Sequence, residues 1–241
     1  MRLKMRFLFA FSLRSRPAKS STRDSSFFSA PLSGGGMLWY NRRNFNGTGR
    51  MTMRCYFAPM EGTTSYLHRN IHHRFFPGVD GYYMPFVSPS QGHTFTRREK
   101  ADICPEHNNG VPVVPQLLTR RAEDFLWAAG ELAAMGYGEV NLNLGCPSGT
   151  VTAKGKGAGF LAYPEELERF LDTIFSANLP IAISIKTRLG MRDEGEFPAL
   201  LALYNRYPVK ELTIHPRVQR DLYRLPVRPA AFAQAAEHCN A

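Results

Sequence analysis

The 241-residue sequence predicts an α/β fold built on a parallel sheet, and three observations support this prediction. Short apolar runs alternate with amphipathic stretches from residue 54 onward. The apolar runs have the length of strands, and the stretches between them have the length and period of helices. Strands that alternate with helices form βα units, whose strands run parallel. Six such units fit either an open sheet or an incomplete (β/α)8 barrel, because a full barrel needs eight strands and about 250 residues.

Six segments are predicted to be strands because each is a short, largely apolar run. Glycine, proline or polar residues follow each run and end it. In chain order the six predicted strands are Arg54–Met60, Gly81–Val87, Val111–Leu117, Glu139–Leu144, Ile181–Thr187 and Glu211–His215.

The predicted helices lie between these strands. The first covers Thr64–Phe75 and stops before Pro77 and Gly78, which cannot continue it. The next covers Arg121–Met135, and Thr119 is the predicted N-cap, because a threonine hydroxyl can accept from the free backbone N–H groups of a first helical turn.

Three more helices complete the pattern. Pro164–Ser176 carries Glu165 and Glu166 in its first turn, where the helix dipole favours negative charge. Phe197–Asn205 and Pro229–Glu237 follow the fifth and sixth strands. Each strand except the second is thus followed by a predicted helix, as βα units require.

Residues 1–52 differ in composition from the rest of the chain. The net charge is +10, and the first fifty residues carry +9 of it, with ten Lys or Arg residues and one acidic residue. We predict a basic, disordered extension over 1–52 and one folded domain over 53–241. An organellar transit peptide is the alternative for the extension, because it is rich in Arg and Ser. The nearly neutral remainder gives no charge argument for binding nucleic acid.

Composition also excludes several classes of protein. No stretch approaches the ~20 apolar residues of a membrane-spanning helix. Four scattered cysteines without a C-x-x-C pair disfavour a disulfide scaffold and a zinc ribbon, and they suit a reducing compartment. His68 and His72 are four residues apart but lack the glutamate of an H-E-x-x-H zinc motif, so we predict no metal site.

Polar residues follow the carboxyl ends of five predicted strands. In barrel enzymes the active site is built at these ends. The candidate site residues are therefore Pro59, Met60, Glu61, Gln116, Asn143, Cys146, Lys186, Arg188, His215 and Arg217.

The segment at residues 139–161 carries the strongest candidate. Its apolar strand ends at Cys146, and a loop with four glycines follows, in which Lys154 and Lys156 add positive charge. A cysteine at a loop tip can act as a nucleophile or a general acid. The alternative interpretation is a buried, inert thiol.

Alternation along the fifth strand places Ser184 and Lys186 on one face, so that Lys186 points toward the sheet interior and needs an anionic or electron-rich partner. His215 and Arg217 at the end of the sixth strand suit a phosphate or a heteroaromatic ring. The Gln116 amide offers both a donor and an acceptor, which matches the edge of a flavin or a uracil. Each of these residues is, alternatively, an ordinary polar residue at a strand end.

Five segments together resemble the tRNA-dihydrouridine synthase family in sequence, order and spacing. They are FAPMEGTT at 57–64, PVVPQLL at 112–118, EVNLNLGCPSGTVTAKGKGAGFL at 139–161, ISIKTRLG at 183–190 and LTIHPRVQRDLY at 212–223. The resemblance covers residues 53–241 and leaves the first 52 outside.

The resemblance implies an FMN-dependent TIM barrel followed by a small helical domain that grips tRNA. Enzymes of this family reduce the C5–C6 double bond of tRNA uridines, with NADPH or NADH as the reductant. The resemblance therefore implies tRNA as partner, no metal, no membrane, a monomer and a cytoplasmic location.

The same resemblance assigns roles to individual residues. Cys146 is the implied proton donor to uracil C5, and Asn143 holds the uracil edge. The implied FMN contacts are Pro59, Met60, Glu61, Gln116, Lys186 and His215. Arg217, Lys154 and Lys156 are implied contacts of uracil or of the RNA backbone.

Members of the family continue beyond the sixth βα unit with two more units and the helical domain. The two units carry the glycine-rich segments that bind the FMN phosphate. We therefore expect this 241-residue chain to bind FMN weakly or not at all and to have little activity. Two alternatives stay open: a non-catalytic remnant, and a flavin barrel like dihydroorotate dehydrogenase that acts on a free pyrimidine.

Overall fold

A computed structural model describes residues 54–240 and, in the segment before them, the backbone of three short strands. These strands are β1 (Phe11–Arg14), β2 (Phe27–Pro31) and β3 (Met37–Asn41). β2 and β3 pair with each other in antiparallel fashion. The remaining residues of 1–53 lie outside the described part of the chain, so the predicted disordered extension over 1–52 stays a prediction.

All six predicted strands are present, which confirms the α/β class. The first two are shorter than predicted, and the third is divided at Pro115, because a proline has no N–H to donate to its neighbour. Their bounds are β4 (Tyr56–Phe57), β5 (Gly81–Tyr83), β6 (Val113–Val114), β7 (Gln116–Leu117), β8 (Glu139–Leu144), β9 (Ala182–Arg188) and β10 (Glu211–His215).

The strands follow one another in the sheet in the same order as in the chain. β4, β5 and β6 pair in parallel, and a parallel bridge between Val87 and Leu117 joins the second predicted strand to β7. β7, β8, β9 and β10 continue the parallel order. A doubly wound open sheet would reverse its order at one point, so the sequential order is that of a (β/α)8 barrel.

The two ends of this series approach each other without closing in the described residues. The Tyr56 hydroxyl of β4 donates to Glu211 Oε2 of β10 over 3.2 Å, but no backbone pairing joins the two strands in the described part of the chain. The edge of β10 that faces away from β9 pairs with β1 in antiparallel fashion.

The five predicted helices are confirmed to within about two residues, and two shorter ones add to them. α2 was missed at the sequence level, although Thr96 and Glu99 form a capping box at its start. The helices are α1 (Tyr66–Phe75), α2 (Arg97–Ile103), α3 (Ala122–Ala134), α4 (Gly149–Thr152), α5 (Pro164–Ser176), α6 (Phe197–Tyr204) and α7 (Pro229–His238).

The predicted N-cap of α3 was wrong. Arg121 occupies the cap position and offers no side-chain hydrogen bond. The Thr119 hydroxyl accepts from the Arg121 N–H over 3.1 Å, two residues along the chain, and thus closes a local turn before the helix begins.

Alternation along β8 separates the core from the interior of the sheet. Val140, Leu142 and Leu144 are fully buried with the apolar faces of α3 and α5. Asn141 and Asn143 point to the opposite side, because successive side chains of a strand face opposite directions. In the described residues, none of the helices has both the length and the apolarity needed to cross a membrane.

Candidate active site

Three amide side chains meet on the inner face of β7 and β8. Gln116 Nε2 donates to Asn141 Oδ1 over 2.8 Å, and Asn143 Nδ2 donates to Gln116 Oε1 over 2.7 Å. Gln116 and Asn141 are fully buried, and Asn143 is nearly so. The register explains the meeting, because Gln116 lies opposite Asn141 in the parallel pairing.

Cys146 lies directly beyond this cluster. The Oδ1 atom of Asn143 accepts from the Gly145 N–H over 3.0 Å and from the Cys146 N–H over 2.9 Å. The Cys146 carbonyl accepts from Ala158 N over 3.0 Å, so the loop folds back on itself. The Cys146 side chain stays partly exposed, which leaves the thiol open to a bound molecule.

Gly157 permits this close return of the loop. Its φ is +57°, and a Cβ atom at this position would lie 2.9 Å from the Cys146 carbonyl oxygen. Both facts disfavour any other residue. The glycine-rich part of the loop therefore packs directly against Cys146.

Lys186 extends from β9 beside Asn143, its register partner on β8. Burial, together with the nearby Arg188 guanidinium, lowers the pKa of Lys186 to about 8. Its Nζ has no hydrogen-bond partner among the described residues and lies near Gly145. An ammonium group with free donors at this point fits an anionic or electron-rich ligand.

Arg188 holds three loop carbonyls at the same end of the sheet. Its Nε donates to Gly145 O over 2.8 Å, and its Nη1 donates to Val218 O and Leu222 O over 3.1 and 3.0 Å. The guanidinium also lies 5.2 Å from the centre of the Tyr223 ring. These hydrogen bonds connect the loop after β8 to the segment after β10, and they lie inside the protein because Arg188 is only 1% exposed.

His215 carries an unpaired donor. Arg217 Nη1 lies 3.0 Å from His215 Nε2, and a guanidinium can only donate, so Nε2 is the acceptor. The neutral ring must then carry its proton on Nδ1, which is buried and has no partner among the described residues. Burial and the charges of Arg188, Lys186 and Arg217 lower the pKa of His215 to about 2.

We expect His215 to make the protein less stable in mild acid. Its folded pKa lies below the ordinary value of 6.5, so only the unfolded chain takes up the proton, and stability present above pH 6.5 is lost as the pH falls. Between pH 7.5 and 5.5 the loss is about 1.4 kcal/mol, which corresponds to roughly 3–5 °C in the unfolding midpoint.

Thermal unfolding of the wild type, His215→Gln and the exposed-site control His238→Gln at the two pH values measures this effect. His215→Gln should lose less stability on acidification than the other two proteins. An equal loss in all three would contradict a neutral, buried His215.

The predicted site residues after β4 make no hydrogen bond to this cluster among the described residues. Glu61 forms an ion pair with Arg98 of α2 at 2.6 Å, and Met60 is 48% exposed. Pro59 precedes them with partial exposure. Their predicted flavin contacts therefore stay predictions.

The two loop lysines differ from each other. Lys156 Nζ donates to Ser88 Oγ over 3.0 Å, and burial lowers its pKa. Lys154 is exposed, and its side chain makes no hydrogen bond or ion pair among the described residues. In the same part of the chain, no three His, Cys, Asp or Glu side chains are grouped so that they could hold a metal.

Two residues of the cluster were not predicted as site residues, and the role of a third was not predicted. Asn141 and Ser184 lie below the strand ends, although period-2 alternation already places them on the face of Asn143 and Lys186. Arg188 was predicted only as a polar residue at the end of a strand. A sequence signal for its role exists, because Arg188 shares that inner face at the next position.

Comparison with known proteins agrees with this arrangement. The family model described as dihydrouridine synthase (Dus) matches residues 56–239. The tRNA-dihydrouridine(16) synthase of Ralstonia nicotianae is 31% identical over 192 residues, covering 76% of this chain and 58% of its own length. Proteins of Staphylococcus epidermidis and Staphylococcus aureus named probable tRNA-dihydrouridine synthase are 32% and 30% identical over 114 residues, which is 47% of this chain and 34% of theirs.

The chain thus spans a little over half the length of the Ralstonia relative and about a third of the staphylococcal ones. The family match includes every strand from β4 to β10 and all the strand-end residues discussed above. A match of this extent is sufficient to place the sequence: the chain belongs to the dihydrouridine synthase family.

Proposed function

We propose that residues 53–241 form the catalytic barrel part of a tRNA-dihydrouridine synthase. The proposed reaction reduces the C5–C6 double bond of a uridine in tRNA, with FMN as cofactor and NADPH or NADH as reductant. Family membership supports the reaction class. The observation that carries the proposal is the placement of Cys146, which is fixed by Asn143 at the carboxyl end of β8 and still partly exposed.

The residues around Cys146 fit a flavin. Lys186 presents an ammonium group without a partner among the described residues, and His215 presents a buried N–H that lacks an acceptor there. Both are donors suited to the carbonyl oxygens of the ring or to a phosphate. FMN, when bound, supplies the hydride that uracil C6 receives. Pro59, Met60 and Glu61 are proposed to line the ring from the end of β4.

Gln116 has less freedom to contact the cofactor than the sequence suggested. Both of its polar atoms already bond to neighbouring amides. One hydrogen of Nε2 and one lone pair of Oε1 remain for a ligand. We therefore propose a shared role, in which Gln116 contacts FMN and also orients Asn143.

The chain's own part in the chemistry is to position the base and to move one proton. Asn143 would hold the uracil edge, and the Cys146 thiol would give its proton to C5 as C6 receives the hydride. The nicotinamide cofactor is oxidised, and the pyrimidine ring gains two hydrogens. A reaction at the base of a folded RNA requires that base to leave its stack, which suits an acid on an exposed loop.

Lys154 and Arg217 are proposed to contact the RNA, together with Lys156 once its bond to Ser88 is exchanged for a phosphate. Such contacts would be independent of sequence. We further propose that the protein acts as a monomer in the cytoplasm.

Dihydrouridine formation in an unmodified tRNA transcript tests the proposal. The purified protein is titrated with FMN by absorption and incubated with NADPH and the transcript. Mass spectrometry detects the gain of two hydrogens. We expect product from tRNA, in an amount that rises with the fraction of the protein that holds FMN. Product from free orotate or uridine instead of tRNA, or no product at saturating FMN and NADPH, would refute the assignment.

A further inference from the structure

A continuous chain of side-chain hydrogen bonds crosses three strands and ends at Cys146. Asn141 Nδ2 donates to Ser184 Oγ of β9 over 2.9 Å. Gln116 Nε2 donates to Asn141 Oδ1, and Asn143 Nδ2 donates to Gln116 Oε1. Ser184, Asn141 and Gln116 are 0% exposed and Asn143 is 6% exposed, so water does not compete for these bonds.

The donor and the acceptor in each bond of this hydrogen-bonded series can be assigned by starting from the Cys146 end. The backbone N–H groups of Gly145 and Cys146 can only donate, so Asn143 Oδ1 must accept. Its Nδ2 must then donate to Gln116, which in turn must donate to Asn141. Reversing Gln116 or Asn143 would set donor against donor at one end and acceptor against acceptor at the other, and reversing Asn141 would set its Nδ2 against Gln116 Nε2.

Asn141 is the member with no direct part in the proposed chemistry. It lies on β8 two residues before Asn143, on the same face, and touches neither the loop nor the Cys146 thiol among its hydrogen-bond contacts. Its Oδ1 is nevertheless the only hydrogen-bond partner of Gln116 Nε2 in the described residues. Without that acceptor, Gln116 would keep only its bond from Asn143 Nδ2, and its amide would be held at one end instead of two.

We propose that Asn141 is a positioning residue that holds the amide of Gln116 in place, and through it the side chain of Asn143 and the backbone of Cys146. The inference rests on the proposed function, because positioning matters for turnover only if Cys146 is the acid. The structural part of the claim is independent of turnover and can be measured on the chain without cofactor or tRNA.

Two substitutions at residue 141 distinguish positioning from simple filling of space. Asn141→Leu keeps a similar size and removes the acceptor. Asn141→Asp keeps an acceptor for Gln116 Nε2, and its second oxygen can accept from the Ser184 hydroxyl, which is able to donate or accept. We expect Asn141→Leu to lower the rate of dihydrouridine formation about tenfold, equivalent to ~1.4 kcal/mol. Asn141→Asp should recover most of that loss.

The second readout is the alkylation rate of Cys146 by iodoacetamide, measured peptide by peptide. Releasing the Cys146 backbone should raise this rate several-fold in Asn141→Leu and return it toward wild type in Asn141→Asp. Cys55, an exposed thiol before β4, serves as the internal control and should react at one rate in all three proteins.

Each outcome decides between the interpretations. If Asn141→Leu only lowers the unfolding temperature, with Cys146 alkylation unchanged relative to Cys55, the positioning role is wrong. If both variants react alike, the directional argument is wrong. If the wild type makes no dihydrouridine but alkylation follows the expected pattern, the proposed function fails and the positioning stands. If Asn141→Leu does not fold, Ser184→Ala replaces it. We expect a smaller rise in the alkylation rate of Cys146 in this variant, and an unchanged alkylation rate would contradict the proposal.

Discussion

Cys146→Ala is expected to lower the rate of dihydrouridine formation by about 10²- to 10⁴-fold, the usual contribution of a positioned general acid. Cys146 is partly exposed at the carboxyl end of β8, and the backbone N–H groups of Gly145 and Cys146 donate to Asn143 Oδ1, which fixes the backbone around the thiol. Alanine preserves that backbone and removes only the proton. FMN affinity should therefore stay unchanged, as should the rate at which the FMN-loaded protein oxidises NADPH without tRNA.

The matched control is Cys55→Ala. Cys55 is also exposed, but it precedes β4 and so lies at the opposite, amino edge of the sheet. It should leave turnover and FMN affinity at wild-type values. Mass spectrometry of the tRNA product and absorption titration of FMN provide the two measurements.

Retained activity in Cys146→Ala would point to another acid. Lys186 is one candidate, because its pKa of about 8 leaves much of it protonated at neutral pH and it interacts electrostatically with Cys146. In that case Lys186→Met should abolish product formation in the Cys146→Ala background. This outcome would refute the role of the Cys146 thiol as the acid, but the location of the active site would be unchanged.

The sequence predicted the elements well but left the closure of the sheet open. The short apolar runs identified all six strands, and most of these strands carry buried residues in the structure. It did not distinguish an open sheet from a barrel, since that depends on which strands pair. The sequential parallel pairing within β4–β6 and within β7–β10, and the bridge between Val87 and Leu117 that joins the two groups, are long-range properties that no local pattern encodes.

The candidate site was predictable where a residue stands at a strand end and less so where its role depends on distant partners. Asn143, Cys146, Lys186 and His215 follow from the strand-end rule. The attachment of Lys156 to Ser88 joins residues 68 positions apart, and the ion pair of Glu61 with Arg98 joins residues 37 positions apart. Sequence reasoning identified these charges but had no means of assigning their partners.

Arg188→Met is expected to destabilise the protein by roughly 3 kcal/mol, because two buried carbonyls and one partly buried carbonyl lose their donors at a cost of about 1–3 kcal/mol for each buried one. For a chain of 241 residues this corresponds to a fall of about 6–12 °C in the unfolding midpoint. The carbonyls belong to Gly145, Val218 and Leu222, so the change also releases the Cys146 loop from the segment after β10. Methionine fills the space of the arginine stem, which limits any cavity contribution.

Arg192→Met is the matched control, because Arg192 is exposed and its side chain makes no hydrogen bond among the described residues. It should leave the unfolding midpoint within a degree or two of wild type, in the range of ordinary surface changes. A similar midpoint for the two variants would show that Arg188 does not hold the loops.

A second readout separates the charge of Arg188 from its hydrogen bonds. The guanidinium is among the positive charges that lower the pKa of His215 and of Lys186. Its removal should therefore raise both pKa values, which NMR titration of the His215 ring and the Lys186 ammonium can follow. Arg188→Lys should keep the low pKa of His215 yet lose stability, since one ammonium cannot reach three carbonyls arranged for a guanidinium fork. If Arg188→Lys instead matches the wild type in stability, the geometry of the fork is immaterial and only its charge matters.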